Sequence, residues 1–183
     1  CVFGAVLLLT AAGALAMARY ALVRAAVLAG LWGFIALVFT TVSHRMVPFF
    51  NGSALPRVDA RWPAWLLGVM AVGVVLEALL AGAGALWWPL PAGLRIARAA
   101  GETAVAVLLL AQAVHCARVQ NLKPRLLTML FVGFVWLGLA FALHAISHAW
   151  ALLVPGSAGL GLAPLHALTA GFFGSTLFAT VGR

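Results

Sequence analysis

LHAISHAWALLVPGSAGLGLAPLHALTAGFFGSTLFATVG, Leu143–Gly182, holds three of the five histidines of the chain and sets its architecture. One apolar run closes with His144 and His148. A Pro/Gly/Ser segment turns the chain, and a second apolar run opens with His166. On a helix, residues i and i+4 share a face, so His144 and His148 point the same way. The turn returns the chain to the same end of the fold, which predicts that His166 lies at a comparable depth. Three imidazoles near one end of two neighbouring helices read as ligands.

Outward from this stretch, apolar windows recur along the 183 residues, of which 66% are hydrophobic and 8% charged; the mean hydropathy is +1.16. A soluble domain of this size cannot bury so much apolar surface. The windows approach the roughly 20 residues needed to cross a hydrocarbon core of about 30 Å. They lack the alternation of barrel strands, and lipid forces backbone groups to pair internally, so helices follow. The expectation is an all-α, polytopic transmembrane bundle forming a single region over residues 1–183. Six helices are predicted at about 1–17, 25–42, 64–88, 97–119, 126–153 and 163–181. Pro48, Asn51-Gly52, Pro56 and Pro63 are read as excluding helix between the second and third. WPLPAG separates the third from the fourth, and QNLKPR the fourth from the fifth. Cys1 and Arg183 both abut apolar runs, so the chain reads as an internal piece of a longer protein.

The net charge of +8 does not imply nucleic acid. The basic residues stand singly or in pairs at the ends of apolar runs, as in loops that meet lipid headgroups, not as a continuous phosphate-binding patch. Arg45, Arg57, Arg61, Arg118, Lys123, Arg125 and Arg183 fall on one side; Arg19, Arg24, Arg95 and Arg98 fall on the other. That bias predicts that the first group faces the cytoplasm. Neither cysteine suggests a disulfide, and Cys116 reads as a small buried apolar residue.

Sorted by depth, His144, His148 and His166 form an outer layer and His44 and His115 an inner one, which could hold two centres. Imidazole is a common ligand of haem iron, copper and zinc. Interfacial placement explains His144 and His148 about as well as ligation does. Ala167, Gly171, Ser175 and Ala179 form a small-residue stripe behind His166 that lets a neighbouring helix approach, while Ala170 and Gly174 clear the row of His166 itself. Gln112 shares a face with His115 and could orient its ring. Glu77, flanked by Gly73 and Ala81, places a carboxylate in mid-membrane, where a functional role or a buried partner is the default. It could be a metal ligand, a proton-relay group or half of an interhelical hydrogen bond. Glu102, four residues after Arg98, reads as a structural pair.

Two segments carry a resemblance. HRMVPFFNGSAL, His44–Leu55, is similar to the arginine, proline and phenylalanine motif of the NnrS family. LHALTAGFFGSTLFATVGR, Leu165–Arg183, resembles that family's His-Ala-Leu-Thr-x-Gly helix. The family comprises bacterial inner-membrane proteins that bind haem and copper and protect against nitrosative stress from nitric oxide. The resemblance implies that His166, Thr169 and Gly171 carry the helix motif, and that Arg45, Pro48 and Phe49 carry the loop motif. With the inner histidine layer, this gives expected cofactor contacts at His166, His44, His115 and Arg45; metal contacts are expected at His166, at His144 and His148 from their spacing alone, and at Glu77 from its mid-membrane carboxylate. The resulting expectation is an integral membrane haem/copper protein of the nitric oxide response, in contact with lipid and without a classical catalytic set. A membrane cytochrome passing electrons between haems, or a proton-coupled transporter using Glu77 and the histidines, are the alternatives.

Overall fold

The computed structural model describes residues 2–51, 63–87, 89–119, 125–154 and 156–181. Helix α1 spans Val2–Ala16, α2 Tyr20–Gly30, α3 Leu37–Asn51, α4 Ala64–Leu86, α5 Ala92–Val119, α6 Arg125–Leu153, α7 Ala163–His166 and α8 Gly174–Val181. A π-helical turn, Leu31–Ala36, fuses α2 to α3, and another, Ala167–Phe173, fuses α7 to α8. The result among the described residues is six rods and no strand. Four of them are long and apolar enough to cross a membrane: Tyr20–Met46, Ala64–Leu86, Ala92–Arg118 and Arg125–Leu153.

The apolar surface faces both ways. Trp32, Met70, Leu109, Phe134, Leu137, Phe141 and Phe172 belong to one continuous buried core. Outside, Leu8, Leu79 and Phe178 are 73%, 63% and 71% exposed. Large apolar side chains on the outer face are what a hydrocarbon solvent permits. Two predicted boundaries move. The second rod begins at Tyr20 instead of residue 25 and continues through Pro48 to Asn51, so Pro48 does not end it. In a membrane the cost of leaving a backbone group unpaired elsewhere favours keeping the helix, and proline is tolerated. The predicted breaks at Gly52 and Pro56, and the 120–124 turn, lie outside the described residues.

The other shift bears on function. Helix α5 begins at Ala92, directly after Pro91, and not at residue 97. Proline suits a helix start because its missing N–H has no intrahelical partner there. Leu94 and Arg95 donate their backbone N–H groups to Pro91 O at 3.0 and 3.1 Å, which closes the first turn. Arg95 and Arg98 are therefore helical, not loop, residues. Arg95 Nη2 donates to Ala151 O at 2.9 Å, tying this turn to the last turn of α6.

The small-residue stripe behaves as its spacing suggests. Ala167, Gly171 and Ala179 are buried. A Cβ at Gly171 would meet Trp136 Cδ2 of α6 at 2.5 Å, and one at Gly133 would meet Thr176 Oγ1 at 2.9 Å. Glycine on both partners lets each rod seat a side chain of the other: the Trp136 indole on Gly171 and the Thr176 hydroxyl on Gly133. Gly33, in the first π turn, brings that turn against Ala78 of α4, with a built Cβ only 3.3 Å from the alanine methyl.

Candidate metal centre

Helices α4, α5 and α6 bring five ionisable side chains to one depth. Glu77 precedes the end of α4 by nine residues, Glu102 follows the start of α5 by ten, and His144 precedes the end of α6 by nine. At 1.5 Å per residue each lies about 14 Å from the same end of the bundle. Arg98 and His148 lie one turn nearer that end.

Glu77 is 2% exposed and Glu102 5%. Two buried carboxylates require a cation, and Arg98 supplies it. Its Nη2 donates to Glu77 Oε1, and its Nε donates to Glu102 Oε1 at 3.0 Å. The planar guanidinium fork suits bridging two acids as a compact ammonium does not. Two carboxylates against one guanidinium leave the cluster with a formal charge of −1 when the imidazoles are neutral.

The imidazoles face this acid pair from α6. His148 Nδ1 lies 2.8 Å from Glu102 Oε2, and His144 Nδ1 stands 3.8 Å from Glu77 Oε1. A carboxylate beside the Nδ1 of a metal-bound histidine orients the ring, and Glu77 is so placed beside His144. His144 Nε2 is buried without a hydrogen-bond partner. The two rings stack at 5.7 Å with an interplanar angle of 30°, and Trp32, on the first π turn, meets His144 edge-on at 5.3 Å. One potential ligand atom from each of Glu102, His144 and His148 falls within 4.8 Å of the others. Two imidazoles and a carboxylate are a donor set for copper, zinc or iron.

Not every expected ligand joins this group. Glu77 is buried beside it, bound to Arg98. His166 is exposed, with Nδ1 2.9 Å from Leu162 O, and it is not among the three clustered ligands. His44 is half-buried, with Nε2 3.4 Å from Pro63 O; His115 and Arg45 are exposed. Gln112 donates to Cys116 Sγ at 3.4 Å, and Cys116 is buried, as expected of a small apolar side chain. The pairing of Arg98 with Glu102 is as expected, but Glu102 also holds His148. That wider role was visible only in the scarcity of acids: the chain has three in all, and two of them lie in apolar helices.

The fold and centre define a class: polytopic α-helical membrane proteins with an acid–arginine–histidine cluster buried between helices. A sequence model described as NnrS protein matches residues 1–183, and the chain belongs to the NnrS family. No curated protein and no solved structure matches it.

Proposed function

We propose that the chain forms part of a bacterial inner-membrane haem/copper protein of the nitric oxide response, with copper held by Glu102, His144 and His148. The observation that carries this reading is the convergence of those three side chains within 4.8 Å in a member of the NnrS family. The donors fit a small ion. His144 presents Nδ1 toward Glu77 and leaves a buried Nε2 without a hydrogen-bond partner, while His148 Nδ1 and Glu102 Oε2, 2.8 Å apart, lie as close as two ligands of one ion.

The same pair does not suit one haem. These rings stack 5.7 Å apart on successive turns of one helix, which suits a shared small ion better than a large flat group. Haem would be held by the exposed imidazole of His166, the residue that carries the family's helix motif. Its Nδ1–H is engaged by Leu162 O, which leaves Nε2 as the outward donor, and a backbone carbonyl is a frequent partner of a ligating histidine. If bound there, copper would supply one-electron chemistry toward nitric oxide. The protein's own contribution is to orient His144 through Glu77, to hold the acid pair with Arg98, and to exclude water with Trp32 and Phe141.

The test uses the purified full-length protein, with metal analysis and absorption spectra side by side. His148→Ala should lose copper and keep the Soret band. His166→Ala should lose or shift the Soret band and keep copper. Unchanged copper in the first variant and an unchanged spectrum in the second would refute both assignments.

A further inference from the structure

A cavity of about 350 Å³ lies between α4 and α5, lined by the acid pair and by none of the histidines. Glu77, Arg98 and Glu102 form its polar wall, and the ring of Phe141 is part of its lining. Gly101 leaves open space where a Cβ would project, and Gly73 lets Phe141 and Val105 approach, with Phe141 Cζ 3.1 Å from where its Cβ would stand. Two other lining residues, Leu76 and Leu94, are 50% and 39% exposed and give the cavity an outlet on the lipid-facing surface. The volume lies within the roughly 300–1,000 Å³ of small-molecule sites. It is far more than the ~30 Å³ share of one water molecule.

The wall chemistry narrows the occupant. A phosphate headgroup would meet two carboxylates and one guanidinium, a net negative wall. An alkyl chain would leave three charged groups facing hydrocarbon, at a cost in free energy. A cation would meet Arg98. An uncharged, flat, lipid-soluble molecule with hydroxyl groups satisfies all three features. Its ring can pack on Phe141, one O–H can donate to Glu102, and an oxygen can accept from the Arg98 guanidinium, whose Nε and Nη2 donate to the acids. We propose that this cavity binds the headgroup of a membrane-soluble hydroquinone, entering laterally between α4 and α5. The Glu102 carboxylate then links the bound hydroxyl to His148 on its far side. The proposal goes beyond the metal assignment and does not require it.

Gly101 provides the test, because a Cβ built there meets nothing within 4 Å. Gly101→Leu fills the cavity without a clash and raises helix propensity. Ala97→Leu, from another lining position, is the second variant. Gly93→Leu is the control: it is equally open, on the same helix, and outside the lining. Full-length protein in lipid nanodiscs is titrated with decylubiquinol, and a photoreactive azidoquinone is cross-linked and mapped by mass spectrometry. Saturable binding is expected, with label on residues 64–86 and 92–119. Gly101→Leu and Ala97→Leu should each weaken binding at least about tenfold, which is ~1.4 kcal/mol; Gly93→Leu should not. Copper and haem contents, measured on the same samples, should stay at the wild-type level in all three, so failure of the metal assignment is read separately. Absence of saturable binding, label elsewhere, or equal affinity in the filled variants would overturn the proposal, as would a co-purified lipid that decylubiquinol fails to displace.

Discussion

Replacing Arg98 with methionine tests the reasoning behind the whole centre. The side chain keeps much of its length and loses its charge. Arg98 is 10% exposed and bridges two carboxylates that are 2% and 4% exposed at the side chain, so the three charges lie largely out of solvent. Removing one partner of a buried pair costs about 3–5 kcal/mol. For a chain of this size, with about 2–4 °C per kcal/mol, the melting temperature should fall by roughly 6–20 °C. Thermal unfolding of the purified full-length protein, followed by tryptophan fluorescence in a single detergent, reads this directly. The cause is separable by a second substitution. In Arg98→Met/Glu77→Gln one of the two orphaned charges is gone, so at least half of the loss should return, whereas Glu77→Gln alone leaves Arg98 on Glu102 and should shift the midpoint little. A fall below about 3 °C in Arg98→Met would place the interaction with exposed pairs worth 0–1 kcal/mol. The burial argument would then fail.

Two further outcomes follow from packing and charge. Gly171→Ala drives a methyl into the indole of Trp136 and should destabilise the contact between α6 and the last rod by about 1–3 kcal/mol, measured by the same melting assay; no change would mean that Trp136 swings clear. A cytoplasmic reporter fused after Lys123 should be active and one fused after Gly156 silent, since basic residues favour the first side; the reverse pattern would invert the orientation.

The apolar runs are legible in the sequence because lipid leaves the backbone few alternatives, and all six rods appear near their expected places. Their ends are less legible. Pro48 reads as a breaker yet lies within α3, and Pro91 reads as a break yet opens α5. The face shared by His144 and His148 follows from spacing alone, as does the need of Glu77 for a partner. The identity of that partner does not. Arg98 and Glu102, four apart, look like an ordinary surface pair of one helix. Their meaning depends on Glu77, 21 residues before Arg98, and on His148, 46 residues after Glu102. Neither π turn has a periodicity signal, because each adds one residue to an otherwise regular apolar run.

That added residue is absorbed where it stands. Trp32, Ala36, Thr40 and Ser43 are all buried, on both sides of the junction at Leu37. Each residue of an α-helix turns it by about 100°, but a π turn, with its i→i+5 bonds, winds more slowly and takes up one extra residue locally. Deleting Gly33 or Phe34 would therefore restore regular winding and leave Thr40 and Ser43 facing the bundle. The π turn makes Leu31–Ala36 a length reserve, a place where this rod can lose a residue without turning its downstream face.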